Sequence, residues 1–292
     1  MEGENMQILE IVPLLKAWLL SLQRSEETIR GYLVDIMQLE RFLSAKYNCP
    51  TYIEDLTEDD ILNYLKMLRE EKGYKPASIN RHLNSIRTLC KFAYRKDWID
   101  TNPTRNIDQV RFQRQERTFL TPDEQEVFIE SIEHPLAQLA ARIMSFTGLR
   151  VTECTNLRLE DVDLENLVIH VLNGKGGKNR DVPISATLVP YLVDYLDNWR
   201  PNVASDRFLA TTKTGKITHQ TINRAFHETT YKLGWEKKVT CHILRHTFAS
   251  KLVANDVHVS KISKLLGHAD VRTTSIYMHS STEELQEVVN LL

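Results

Sequence analysis

Apolar residues in the first hundred positions recur with the period of a helix. Ile29, Leu33, Ile36, Leu39, Phe42 and Leu43 share one face after Ser25-Glu26-Glu27-Thr28, a serine followed by acids that suits a helix start. Thr57-Glu58-Asp59-Asp60 opens a second predicted helix with Ile61, Leu65 and Leu68 inward. Pro76-Ala77-Ser78 opens a third, with Ile79, Leu83, Ile86, Leu89, Cys90 and Ala93 on its apolar side. Arg81, Asn84, Ser85, Arg87 and Lys91 form the polar side of that helix. Such a face is as readily a solvated surface as one that lies on an anionic partner.

Asn102-Pro103 breaks the pattern, and residues 104–118 carry Arg105, Arg111, Arg114 and Arg117 with little apolar periodicity. This stretch reads as a linker between a helical domain over 1–103 and a second domain over 119–292. Leu120-Thr121-Pro122-Asp123-Glu124 starts the second domain's first helix, with threonine as the cap and proline in the first turn. Residues 167–172, rich in Val, Ile and Leu, and residues 180–184 flank a Gly-rich turn and predict a β-hairpin. From about Leu188 onward helices are expected to dominate. The fold class predicted is mainly α with a small β-sheet, α+β.

Length and composition fit this picture. The chain has 292 residues, 42% hydrophobic and 26% charged, enough for two ordinary globular domains. No apolar run approaches the roughly 18 residues of a membrane span, and the start does not read as a signal peptide. Cys49, Cys90, Cys154 and Cys241 lie far apart with no C-x-x-C pair, which points to reduced thiols in a cytoplasmic protein. The net charge of −2 argues weakly against a nucleic-acid partner, but it conceals a strong asymmetry. Residues 26–71 hold 11 acids against 5 bases, a net of −6; residues 72–117 hold 11 bases against 4 acids, a net of +7. Local positive density is what meets phosphates, so the mean is a poor guide.

Several short patches in the second domain could carry chemistry. Thr147-Gly148-Leu149-Arg150-Val151-Thr152-Glu153 places an arginine at a helix start after a glycine, where a guanidinium and backbone N–H groups can meet an oxyanion. Gly174-Lys175-Gly176-Gly177-Lys178 is by itself a flexible turn with solvated lysines; it lacks the Walker A spacing, so ATP use is not indicated. A lysine on a hairpin tip can instead protonate a leaving oxygen. In Cys241-His242-Ile243-Leu244-Arg245-His246, a helix puts His242 and Arg245 on one face, while Leu244, Phe248 and Leu252 turn to the core. Arginine cannot ligate a metal and no H-E-x-x-H spacing occurs, so phosphate is the favoured ligand and no metal is implied. Gly267 suits a helix C-cap that leaves His268 just beyond the end. Tyr277, taken singly, reads as a packed aromatic, although His279, Ser280 and Ser281 beside it are polar.

Taken together, T-G-L-R-V-T-E at 147–153, G-K-G-G-K-N-R at 174–180, H-I-L-R-H at 242–246, L-L-G-H at 265–268 and T-T-S-I-Y at 273–277 resemble the tyrosine recombinase (phage integrase) family, in particular bacterial Xer-type recombinases. The likeness runs over about 120 to 280, in order, with nine residues from His268 to Tyr277. Each patch alone is weak; five in sequence are specific. The resemblance implies a helical core-binding domain and a mixed α/β catalytic domain forming a C-shaped clamp on DNA. It implies Arg150, Lys175, His242, Arg245, His268 and Tyr277 as the catalytic set, with Tyr277 the nucleophile. Arg81, Arg87, Lys178, Arg180 and Arg224 are further candidates for DNA contact, Arg224 on a helix after Thr218-His219-Gln220-Thr221.

The implied reaction is cleavage and rejoining of duplex DNA at a specific recombination site through a 3′-phosphotyrosine and a Holliday junction. It uses neither cofactor, metal nor ATP. Four protomers, of this chain or shared with a paralogue, would hold two duplexes. Residues 282–292 begin a short helix with Leu285, Val288, Val289, Leu291 and Leu292 apolar. It either packs on its own domain or docks into a neighbouring subunit. Residues 278–292 lack the His-Pro-Arg-Ala-like ending of many chromosomal Xer proteins, which points towards a mobile element, as resolvase or integrase. A type IB-like topoisomerase and a non-catalytic DNA-binding protein of the same fold are the alternatives.

Overall fold

Helix starts expected from capping residues are present with their hydrogen bonds. Ser25 Oγ accepts from Thr28 N at 3.3 Å, and Thr57 Oγ1 from Asp60 N at 3.1 Å, with Asp60 Oδ2 accepting from Thr57 N at 3.2 Å in return. Thr121 and Glu124 close the same reciprocal box at 3.2 and 2.9 Å. The computed structural model describes residues 5–112, 118–172 and 179–267. The chain divides into two units, Met1–Gln115 and Glu116–Leu292.

The first unit packs α1 (Ile8–Ser21), α2 (Glu26–Tyr47), α3 (Glu58–Glu70) and α4 (Pro76–Arg95) around Leu15, Ile36, Leu39, Ile61, Leu83 and Ile86. Helix α1 runs through Pro13 without a break. The proline is exposed, so the carbonyl of Leu9 that loses an N–H partner lies on the water side of the helix. Ser85, assigned to the polar face of α4, is buried and donates to Asp35 Oδ2 at 2.7 Å. Asp35 is fully buried, and Arg81 Nη1 reaches both its oxygens at 2.6 Å, so the carboxylate enters the core already paired.

Much of the stretch expected to act as a linker lies on this unit. Asn80 clamps the backbone of Val110, donating to its carbonyl at 2.9 Å and accepting from its N–H at 2.8 Å. Arg87 Nη2 donates to the carbonyl of Ile107, and Thr104 and Ile107 are buried. Two buried side chains spaced by three are too sparse to register as periodicity.

Among the described residues the second unit contains α5 (Pro122–Glu130), α6 (Pro135–Thr147), α7 (Val151–Asn156), a 3-10 turn (Leu159–Asp161) and three strands. These are β1 (Val162–Asp163), β2 (Val168–Val171) and β3 (Arg180–Pro183), antiparallel in the order β1-β2-β3. Then follow α8 (Val189–Asp194), a π-helical turn (Tyr195–Trp199), α9 (His219–Lys232), α10 (Cys241–Ala254) and α11 (Val259–Leu266). The expected hairpin is β2–β3, with Ile169 opposite Val182. The fold is thus mainly α with one small sheet. Contrary to the helical expectation after Leu188, residues 200–218 are not helical. They are tied down instead by Tyr195, whose hydroxyl donates to Phe208 O at 2.8 Å and accepts from Ala210 N at 3.0 Å. Phe128, Ile143, Ile169, Val182, Leu192, Phe226 and Leu244 share the main core. Phe248, Ala249, Ile262 and Leu266 form a smaller cluster between α10 and α11.

Cys90, Cys154 and Cys241 are buried and Cys49 is exposed, none in a disulfide. Among the described residues no helix is long and apolar enough to cross a membrane.

Candidate active site

The C-terminus of α6 sets the geometry. Gly148 adopts φ of +66° and accepts the turn out of the helix, donating its N–H to Met144 O at 3.0 Å. A Cβ at this position would lie 2.5 Å from Phe248 Cδ1 and 2.9 Å from Leu266 Cδ2. Both the backbone conformation and the close approach of α10 and α11 therefore require glycine. We expect Gly148→Ala to cost about 2–4 kcal/mol, read as a lowered urea midpoint.

Two residues later Arg150 caps α7. Its backbone N–H donates to Glu153 Oε2 at 2.8 Å and its Nη1 to Glu153 Oε1 at 2.8 Å. Arg180 comes from β3 and grips the same carboxylate, Nη1 to Oε1 at 3.0 Å and Nη2 to Oε2 at 2.7 Å, while its Nε donates to Leu265 O at 2.9 Å. Arg245 comes from α10, with Nη1 on Gly148 O and Nη2 on Leu266 O, each at 2.5 Å, and Nη1 4.0 Å from Glu153 Oε2. Arg150 Nη2 reaches Gly267 O at 3.5 Å. Three guanidiniums from three elements thus converge on one carboxylate and on the carbonyls that end α6 and α11, where helix dipoles favour positive charge.

Arg245 is the most enclosed of the three, with 6% of its side chain exposed; Arg150 is the most open, at 19%. Burial alone would raise the Glu153 carboxyl, but hydrogen bonds from Arg180 and from the Arg150 backbone and side chain outweigh it and hold the group at about 2. The folded value lies below the ordinary one, so the stabilisation is complete above about pH 4.5 and is lost as pH falls towards 2. The shift corresponds to about 3 kcal/mol. Urea midpoints measured from pH 7 to 3 should fall more steeply for the native chain than for Glu153→Gln.

His242 is exposed in the first turn of α10, one turn before Arg245. The structure therefore brings Arg150 and Arg245 to one cluster and places His242 on the Arg245 helix. Lys175, Lys178, His268, Tyr277 and the tail over 282–292 lie outside the described residues. His268 directly follows Gly267, the left-handed C-cap of α11.

The residues expected at DNA have different surroundings. Arg180 faces inward: it pairs with Val171 across the ladder, and the period of two puts it on the face with Ile169 and Val182. Arg87 is half-buried and spent on Ile107. Arg81 is anchored by Asp35 yet half exposed, and Asn84, Lys91 and Arg95 are exposed along α4 beside it. Arg224 is largely exposed, 3.6 Å from Glu228 on the next turn of α9. Glu153 is the one residue of this cluster to which its motif assigned no role; its i, i+3 spacing from Arg150 is the available signal. Among the described residues no group of three or more His, Cys, Asp or Glu could hold a metal ion.

The order and spacing of these elements match known proteins. The phage integrase family model covers residues 118–284, more than half of the chain, and its N-terminal SAM-like domain model covers residues 15–97. The chain belongs to the tyrosine recombinase (phage integrase) family. It is a tyrosine-type site-specific DNA recombinase. A tyrosine recombinase of Pseudothermotoga lettingae is 29% identical over 270 residues, 92% of each chain. Tyrosine recombinase XerC of Halalkalibacterium halodurans is 28% identical over 279 residues, 90% of each. Among solved structures, XerA recombinase is 27% identical with a TM-score of 0.53, covering 97% of this chain and 98% of that one. A lambda integrase (75–356) dimer bound to a COC′ core site gives a TM-score of 0.77 at 20% identity, covering 96% and 98%. The recombinase thus shares its fold with proteins solved on DNA.

Proposed function

We propose that this recombinase cleaves DNA by attack of the Tyr277 hydroxyl on a backbone phosphate at a specific site, leaving a 3′-phosphotyrosine and a free 5′ hydroxyl. The observation that carries this reading is the convergence of Arg150 and Arg245 on the Glu153 node, with His242 one turn away on α10. Two guanidiniums held from different elements can clamp the non-bridging oxygens as charge gathers there in the transition state. His268, next to Gly267, adds a hydrogen bond to the phosphate. His242 bonds a phosphate oxygen or helps to deprotonate the tyrosine. Lys175 protonates the departing 5′ oxygen.

One phosphoester replaces another, so the bond energy is conserved and the strand can be rejoined without ATP. A 5′ hydroxyl from a partner duplex then attacks the phosphotyrosine and exchanges strands. Four protomers would hold the two duplexes through a Holliday junction, with residues 282–292 of each docked on a neighbour. Arg81, Lys178 and Arg224 are the candidates for contacts outside the reacting phosphate, and the acid-free exposed side of α4 favours a phosphate-facing role for the first unit.

The test is incubation with nicked suicide duplexes carrying candidate sites, in EDTA. A denaturant-resistant protein–DNA adduct whose phosphotyrosine maps to the peptide containing Tyr277 supports the proposal. Attachment at another residue overturns it. Relaxation of supercoiled DNA with no site requirement would point to a topoisomerase instead.

A further inference from the structure

Arg81 is half exposed on α4, yet the groups that hold it are buried. Asp35 from α2 and His82 from α4 are both fully enclosed, and His82 Nε2 lies 3.5 Å from Asp35 Oδ1 and 3.3 Å from Arg81 Nη2. The other ring nitrogen, Nδ1, is 3.0 Å from the hydroxyl of Tyr64 on α3, which is also buried. A guanidinium can only donate, so Nε2 is the acceptor, the proton sits on Nδ1 and the ring is neutral. Tyr74 faces the imidazole from the segment before α4, with ring centres 5.5 Å apart. Among the described residues, the titratable and charged groups around this ring are Asp35, Tyr64, Tyr74 and Arg81.

His82 Nε2 is thus placed between one anion and one cation. Burial lowers the proton affinity of the ring, Asp35 raises it and Arg81 lowers it, and the result lies below the ordinary histidine value. While Arg81 stays in place Asp35 is neutralised and His82 has no need of a charge. Once a phosphate draws Arg81 away, Asp35 keeps the Ser85 hydroxyl but loses its cation, a costly state for a carboxylate with no exposed surface. A proton on Nε2 relieves that cost, because the new N–H faces Oδ1 and no guanidinium opposes it.

We propose that Asp35 and His82 position Arg81 for a DNA phosphate by exchanging counter-ions. Without DNA the guanidinium is the partner of Asp35. On DNA it turns to a phosphate, and His82 takes up a proton from solvent and replaces it at the carboxylate. The exchange rests on the phosphate-facing role given to Arg81 above. Linkage is reciprocal, so a phosphate that favours the protonated ring is itself bound more tightly when protons are plentiful. His82 holds its proton more strongly in the bound state than in the free one. DNA affinity therefore rises as pH falls through the bound-state value and levels off below the free-state value.

The experiment follows the full chain on a short labelled duplex of arbitrary sequence by fluorescence anisotropy, between about pH 8 and 5.5, since phosphate contacts need no specific site. On acidification the native chain should gain about fivefold more affinity than His82→Gln or Arg81→Gln. Its slope of log affinity against log salt should steepen by about 0.9 more than theirs over the same interval, the mark of one further phosphate contact. A second measurement needs no altered site in the protein that is tested. With carbon-13-labelled histidine, the His82 resonance of the native chain, identified by its displacement in Tyr64→Phe, should move from the neutral to the charged position when duplex is added near neutral pH. If Arg81→Gln leaves affinity unchanged at every pH, Arg81 does not meet DNA and the underlying reading fails. If Arg81→Gln weakens binding while His82 stays neutral on DNA, or His82→Gln keeps the native pH dependence, the exchange alone is overturned.

Discussion

Tyr277→Phe is expected to leave a chain that binds its site normally and forms no covalent adduct. The substitution removes one oxygen atom and keeps the ring, so packing and DNA affinity change little. Under the proposed mechanism the lost atom is the one that forms the bond to phosphorus. With Arg150 and Arg245 still present, phosphate binding and charge stabilisation persist, but no phenol of pKa about 10 remains to attack. Water attacking in its place would leave a free 3′ phosphate and no attached protein. The rate of adduct formation on a suicide duplex should fall on the order of 10⁴-fold or more. Mobility-shift affinity should stay within about twofold, the size of effect a surface change of under 0.5 kcal/mol produces. A persistent adduct places the nucleophile elsewhere; loss of site binding in parallel gives Tyr277 a structural role instead.

Helix starts were legible in the sequence because a cap is a local event. Ser25, Thr57 and Thr121 each satisfy their own first turn, and no distant contact is needed to interpret them. The β2–β3 hairpin was legible for the same reason. What escaped depends on tertiary partners. Pro13 interrupts a helix in propensity terms, yet α1 survives because its unpaired carbonyl faces water and its other face is buried. The irregular segment over 200–218 is held by one buried tyrosine hydroxyl, which no period reveals.

The site divides along the same line. Arg150, His242 and Arg245 stood out through motif and spacing. Arg180 stood in the same motifs but was expected at DNA, since a sequence shows an arginine beside a hairpin turn without its facing. Only the register, Arg180 opposite Val171, turns it inward to Glu153. Glu153 was silent because a single acid in a helix's first turn has an ordinary explanation in the dipole. Its importance comes from Arg180, 27 residues away in sequence, and from Arg245 on a third element.

Glu153→Ala is expected to produce the larger effect on stability and a severe loss of cleavage together. The carboxylate is 7% exposed and bonded to Arg180 at 10%, so its removal strands positive charge in a place with little water. Breaking a buried pair from one side typically costs about 3–5 kcal/mol. Cleavage should fall at least about 100-fold, because Arg150 loses the anchor that fixes its orientation and a misplacement near 1 Å is enough for such a loss. A second substitution separates the two effects. Arg180→Met in the Glu153→Ala background removes the stranded charge and should restore about 1–3 kcal/mol of stability. It should not restore cleavage, because Arg150 still lacks its partner. Urea unfolding supplies the first measurement and adduct rates on a suicide duplex the second. Recovery of both would make Glu153 purely a stabiliser of Arg180; a change in neither for Glu153→Ala would remove the carboxylate from the centre of the site.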